Sequence, residues 1–230
     1  MKFLGLIPAR GGSKGVPHKN ILKVGGKPLI CYSIEVGLAA VKNGTLDELV
    51  VSTDDQEIAE ISLQSGVSVP FLRPASLSGD HAKSVDVMIH AYQYYVEQGR
   101  KFDAIMLLQP TAPLRTASDI DGAIDVFLRS GASSLISCYR EEYISDLVSY
   151  HKAVDMAVAL NSRHNSGGRR QDEPDLYVRN GAIYITNAER MMQEHTVFGN
   201  SPAMYVMPKE RSVNIDTMDD VEYLEWILSK

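Results

Sequence analysis

"MKFLGLIPARGGSKGVPHKN", residues 1–20, decides the fold, because it joins an apolar run directly to a polar, glycine-rich turn. Apolar runs bounded by Gly and Pro read as strands, so Phe3 to Ile7 is predicted to be a buried strand. The residues after it are too polar for a core and too rich in glycine for a helix. Gly11, Gly12 and Gly15 free the backbone to line a concave anion site, and Arg10, Lys14 and Lys19 add charge-assisted donors to a chain of net charge −6. The stretch matches neither G-x-x-x-x-G-K-[ST] nor G-x-G-x-x-G, although the physics of a phosphate cradle is the same. So many cations in one short turn suit a triphosphate better than a single phosphate. The plain alternative is a surface turn, which Gly and Pro punctuate in most proteins.

Outward from this turn, helix and strand patterns alternate. Residues 28–41 have helical apolar spacing and 48–53 read as a strand. A helix over 54–66 is predicted to begin at Asp54 as N-cap and to stop at Gly66. A short strand at 68–72, a helix at 84–99, a strand at 102–110, a helix at 117–131 and a strand at 133–139 continue the rhythm. It breaks between Arg140 and Tyr177, where alternation in "LVSYHKAVDMAVAL" predicts strands outside the main sheet. Strands at 181–186 and 203–207 and a helix from Thr217 to Leu228 restore it. Such alternation implies an α/β sandwich of three layers, with a mostly parallel sheet covered on both faces and ligands at the carboxyl ends of its strands.

Composition narrows the function. At 230 residues the chain can bury a core as one domain, and 44% hydrophobic with 23% charged residues is ordinary for a soluble globular protein. A pI near 5.5 argues against general affinity for nucleic acid. Cys31 and Cys138 form no C-x-x-C and no disulfide framework, which fits a reducing cytoplasm. Pro8, Arg10 and Lys14 interrupt the first apolar run too early for a secretory leader. No segment approaches the ~20 apolar residues of a spanning helix, so no membrane partner is expected.

"IPARGGSKGVPHKNI" closely resembles the signature of the cytidylyltransferases that activate nonulosonic acids, the CMP-sialic acid synthetases and their legionaminate and pseudaminate relatives. "VVSTDDQEIAE", "LRPASLSGDHAKS", "LLQPTAPLRTASDI", "YVRNGAIYIT" and "NIDTMDD" resemble further blocks of that family, in family order, over nearly the whole chain. The resemblance implies a Rossmann-like nucleotidyltransferase fold over 1–230, with an inserted dimerisation subdomain at 140–177 and a homodimer. It implies transfer of CMP from CTP to the acid, with pyrophosphate leaving and Mg²⁺ as cofactor. CTP contacts are implied for Ala9, Arg10, Gly11, Ser13, Lys14 and Asn20, and for Arg73, Ala82 and Ser84 around the cytidine. Arg10, Lys14, Lys19 and Asp216 are the implied catalytic groups. Gln109, Arg170, Asn180 and Tyr184 are implied to touch the acceptor sugar. Blander readings stand beside these: Ser13 closing a turn, Arg73 as an exposed strand-end cation, Arg169 and Arg170 as a solvated pair, Tyr184 as a core residue.

The metal block departs from the family pattern, having Asn214-Ile215-Asp216 where Asp-Ile-Asp is common. Period 2 along an extended segment puts 214 and 216 on one face, where they are expected to share an ion. Asn offers no charge, so Asp216 becomes the primary ligand, unless it is only the N-cap of the last helix. Asp219 and Asp220 read as charges complementing that helix's dipole. Rival functions are a synthetase for 3-deoxy-manno-octulosonate, a catalytically silent nucleotide-binding homologue, and an oxidoreductase. The last lacks its glycine fingerprint.

Overall fold

In the computed structural model, which describes residues 1–13, 15–165 and 174–230, the opening apolar run is the strand β1 (Phe3–Pro8). The small hairpin β2 (Lys23–Val24) and β3 (Lys27–Pro28) leads into α1 (Leu29–Lys42), β4 (Glu48–Ser52) and α2 (Gln56–Gln64). Then come α3 (Ser84–Glu97), β5 (Ala104–Leu107), α4 (Ala117–Ser130) and β6 (Ser134–Glu141). A second hairpin, β7 (Tyr150–Ala153) and β8 (Met156–Ala159), precedes β9 (Leu176–Asn187), α5 (Ala188–Glu194), β10 (Ala203–Val206) and α6 (Met218–Leu228).

Six strands form one sheet in the order β10-β6-β9-β5-β1-β4. β1 runs parallel to both neighbours, β4 and β5, and β10 runs parallel to β6, whereas β9 is antiparallel to β5 and β6. Alternate side chains of the buried strands feed two cores. Phe3, Ile7 and Met106 face Ile30 and Ile34 of α1 and Ile120 and Phe127 of α4. Leu4, Leu6, Ile105 and Leu107 face Met88 and Tyr95 of α3 and Met191 of α5. Helices therefore cover both faces of a mostly parallel sheet, the three-layer α/β class predicted from the alternation.

Four details differ from the prediction. The segment 68–72 makes only single bridges, Val50 with Ser68 and Thr53 with Leu72, because Pro70 cannot donate to a ladder. The N-cap of α2 is Asp55, whose carboxylate accepts from the Ile58 N–H at 3.0 Å, and Asp54 is left free for other partners. β9 begins at Leu176 and is kinked: its register against β6 shifts between Ile136 and Cys138, with Gly181 at φ 73°. α5 carries no strong signal in the sequence, being about two turns held by its Asn187 cap.

The break in rhythm after β6 corresponds to β7 and β8, which among the described residues pair only with each other. β6 extends to Glu141 and β9 starts at Leu176, so the ends of the expected insertion, 140–177, lie inside main-sheet strands.

Candidate active site

β1 exchanges neighbours here: the chain passes from β1 to β4 on one side and then to β5 on the other, the arrangement that opens a crevice at the strands' carboxyl ends. Ala9 continues the ladder one step beyond β1, its N–H donating to the Ser52 carbonyl at 3.0 Å, and is fully buried in the main core. Beyond it the glycine-rich turn is pinned from several directions. The Asn20 amide donates to the Arg10 carbonyl at 2.9 Å, and the Gly11 N–H donates to Asp54 Oδ1 at 3.2 Å. Val16 packs with Leu29, Ile215, Val221 and Leu224 in a small third core. That packing brings the turn against the chain before α6 so closely that a methyl group on Gly15 would collide with the Asp216 carbonyl oxygen.

The consequence is a cleft of about 430 Å³. It is lined by Arg10, Ser13, Lys19, Asn20, Arg73, Ala82, Ser84, Gln109 and Asp216 among the expected site residues. Ala9 and Gly11 are not among its lining residues, though each adjoins Arg10, and Lys14 and Arg170 fall outside the described residues. A larger cleft of about 740 Å³ lies at the base of the β7–β8 hairpin, between Arg140, Arg163 and Asp175, and holds none of the expected residues. The smaller cleft is the candidate site, because it lies at the strand ends and gathers the cations.

Arg73 is not an exposed cation: only 5% of it is accessible. Its N–H bonds to the Thr53 carbonyl at 2.7 Å, Nε donates to Ser78 Oγ at 3.1 Å, and Nη2 reaches Asp54 Oδ1 at 3.4 Å. Burial lowers its pKa and the Asp54 carboxylate opposes that shift. Asp54 thus ties the glycine-rich turn to the loop carrying Arg73. On the rim, Arg10 Nη1 meets Asp80 Oδ1 at 3.1 Å. Ser84 is the first residue of α3, and the Ala82 N–H bonds to the Gly79 carbonyl at 3.1 Å, so a tight turn delivers both to the cleft.

Asp216 stands opposite. Lys19 Nζ donates to its Oδ1 at 3.1 Å and to the Ile215 carbonyl at 2.7 Å. The other carboxylate oxygen accepts from Asn214 Nδ2. Asn214 and Asp216 do share one face, but they meet as donor and acceptor and do not turn two oxygens on one ion. The N-cap of α6 is Thr217, in a capping box whose carboxylate is Asp220, so Asp216 is spared that task. Among the described residues there is no group of three or more His, Cys, Asp or Glu able to hold a metal. A single carboxylate beside a polar cleft fits Mg²⁺ that is held largely by substrate phosphates and water.

The remaining expected residues flank the cleft without lining it. Asn180 is buried, and its amide is committed: Oδ1 accepts from Ser137 Oγ at 2.6 Å and the Ala182 N–H at 3.2 Å, and Nδ2 donates to Ser212 Oγ at 2.9 Å. It holds the β9 kink, which sets Gly181 so close to Gln109 that a Cβ there would lie 2.8 Å from the Gln109 side-chain oxygen. Tyr184 is paired across the sheet with Leu107, packs on Phe198 at 5.8 Å, and burial raises its pKa. Arg179 lies over the same Phe198 ring at 4.6 Å. Sequence reasoning missed Arg115, a buried guanidinium behind Gln109, and the clamp made by Asp54. The signal for Arg115 was a cation in an otherwise apolar stretch, "APLRTA".

Comparisons with known proteins bear on the family and the fold. Residues 4–227 match the family model described as cytidylyltransferase. The chain is 34% identical to a pseudaminic acid cytidylyltransferase of Campylobacter jejuni, over 97% of this chain and 94% of that one. It is 37% identical to an N-acylneuraminate cytidylyltransferase of Streptococcus agalactiae, covering 96% of this chain but 52% of that longer one. It is 30% identical to a CMP-N,N'-diacetyllegionaminic acid synthase of Legionella pneumophila, over the whole chain and 95% of the relative. In fold it matches a CMP:2-keto-3-deoxy-manno-octonic acid synthetase complexed with CTP, with a TM-score of 0.72 at 17% identity over 100% and 99% of the two chains. With a family match over nearly its full length and relatives at these identities, the chain belongs to the cytidylyltransferase family of nucleotidyltransferases.

Proposed function

We propose that this cytidylyltransferase joins CTP to a nonulosonic acid, giving the CMP-sugar and pyrophosphate. The observation that carries the reading is the single cleft where Arg10, Lys19 and Arg73 converge with Gln109 and Asp216. The three relatives described above, named for pseudaminic acid, N-acylneuraminate and diacetyllegionaminic acid, support the choice of acceptor. The anomeric oxygen of the acid bonds to the α-phosphorus in line as the bond from that phosphorus to the bridging β-oxygen breaks. The hydroxyl's proton passes to solvent and pyrophosphate leaves.

Each residue has a physical task. Arg10, Ser13 and Lys19, with Lys14 of the same turn, neutralise and orient the triphosphate. Arg73, Ala82 and Ser84 hold the cytidine, whose amino and carbonyl edges need fixed acceptors and donors. Gln109 meets the acceptor sugar, with Tyr184 packed on the same face of the sheet below it, and Arg170 is the candidate partner of its carboxylate. Bound Mg²⁺ supplies charge neutralisation on the phosphates. Asp216 is the carboxylate this chain offers to it, and Asn214 orients that carboxylate by its hydrogen bond. Holding both substrates in one cleft provides the in-line geometry on which the rate depends.

The β7–β8 hairpin is the dimerisation element in this reading. Val154 and Met156 are 86% and 71% exposed and Val158 is exposed beside them, an apolar surface of the kind that self-association covers. Leu147, just before the hairpin, is buried and lies outside that surface. Both cysteines are free and buried, in keeping with a reducing cytoplasm.

Pyrophosphate release from CTP and Mg²⁺ with N-acetylneuraminate, diacetyllegionaminate, pseudaminate or the eight-carbon octulosonate tests the proposal. Turnover with at least one nine-carbon acid, and much less with the octulosonate, is expected. Turnover with the octulosonate alone, or with none of the four, would overturn it.

A further inference from the structure

Arg115, in the loop between β5 and α4, is 2% exposed. A guanidinium in that position costs several kcal/mol to desolvate, and an apolar residue of similar size is often as stable or more so. Its bonding is specific. Nη1 donates to the Ala182 carbonyl at 2.6 Å, and Nη2 donates both to the Gln109 carbonyl at 2.8 Å and to Ser33 Oγ of α1. Nε is buried without a hydrogen-bond partner, so the group is held where it is at the expense of one unsatisfied donor. Burial pushes its pKa down to about 9, which still leaves it cationic at neutral pH.

The two carbonyls belong to the two turns on the acceptor side of the cleft. One is the end of β5, where Gln109 lines the site. The other is the β9 kink, where Gly181 lies against the Gln109 side chain. The first turn also anchors the metal block, since the Thr111 carbonyl accepts the Ile215 N–H at 2.8 Å. Arg73, Ala82 and Ser84 lie across the cleft and make none of these contacts.

We infer that Arg115 is a positioning residue: its planar fork fixes the spacing of the Gln109 turn and the β9 kink, and so aims the acceptor at a nucleotide that binds independently of it. The inference rests on the proposed reaction for its kinetic consequences, and on the contacts alone for its structural ones. Lysine keeps the charge but presents one point in place of a fork, so it cannot hold both carbonyls at a set distance.

Arg115→Lys and Arg115→Met are the test variants, with Ser33→Ala as a milder one should either fail to fold. Hydrogen exchange is expected to rise about 10-fold or more in the amides of both turns and to stay unchanged in α2 and α3, a readout that needs no substrate. CTP affinity by calorimetry should stay within about 2-fold, while kcat with the acceptor falls ~10- to 100-fold, as for a misplaced reactant. In a Gln109→Ala background most of that loss should vanish, because the two changes act through one group. Exchange that is unchanged in both turns, or a normal kcat in folded Arg115→Lys, overturns the inference. A wild-type enzyme inert toward every nonulosonic acid overturns the reaction instead, and the exchange result then decides the positioning role by itself.

Discussion

A carboxylate gripped by Lys19 on one oxygen and Asn214 on the other is fixed before any substrate arrives, and this makes Asp216 the most exacting single residue of the site. Asp216→Ala should lower turnover by ~100-fold or more if, as proposed, the phosphates thereby lose the group that fixes their metal, with little change in CTP affinity measured without Mg²⁺. Near-normal turnover would place the metal elsewhere. Asn214→Ala removes only the donor. It should reduce kcat roughly 10-fold and raise the Mg²⁺ needed for half-maximal rate, with the KM for CTP unmoved. Identical Mg²⁺ dependence in that variant would leave the contact without a catalytic role. At this scale the sequence was informative where chemistry is local: a glycine-rich turn with Arg10, Lys19 and Asn20 declares itself within one stretch. It was silent on Arg115, whose partners Ala182 and Ser33 are 67 and 82 residues away, and on Asp54, which looks like a helix cap one position early.

Among the elements, β6 ends on a residue that links folding to pH. Glu141 is buried, and its carboxylate accepts the Tyr143 and Ile144 N–H groups and both hydrogen bonds from Lys209 Nζ at 3.1 Å. The Tyr143 N–H first, and then the Lys209 ammonium, lower its pKa from 4.5 to about 2. A depressed carboxylate contributes stability that is complete above the unfolded-state pKa and is lost as pH falls through the folded one. The wild type should therefore lose stability between about pH 4.5 and pH 2 through this residue. Glu141→Gln should be less stable at pH 7 and show a shallower decline across that window, as followed by thermal melts in a pH series. Parallel curves for the two proteins would remove Glu141 from the account. The strands and long helices were legible because the core imposes their apolar spacing. The β9 kink and α5 were not, because a buried asparagine, a serine from the next strand and a short capped turn leave no periodic trace.

For the whole molecule, the hairpin tip and the cleft raise separate questions. Val154 sits at φ 55°, a left-handed conformation that a β-branched residue adopts at a cost of about 1–2 kcal/mol. Its side chain is nonetheless turned outward, which fits a residue retained for a contact with a second copy. Val154→Asn should relieve the backbone and keep or raise the subunit's Tm, yet shift sedimentation from dimer toward monomer at micromolar concentration. A wild-type monomer under those conditions would contradict the assembly. The proposed chemistry in the cleft concerns particular bonds: the oxygen joining sugar to phosphorus in the product comes from the acid. Incubating CTP, Mg²⁺ and the preferred nonulosonic acid, labelled with ¹⁸O at its anomeric hydroxyl, puts that claim to ³¹P NMR. An isotope shift on the CMP-sugar phosphorus is predicted, with pyrophosphate free of label. A CMP-sugar without the shift, or label in the pyrophosphate, would contradict attack by the anomeric oxygen on the α-phosphorus.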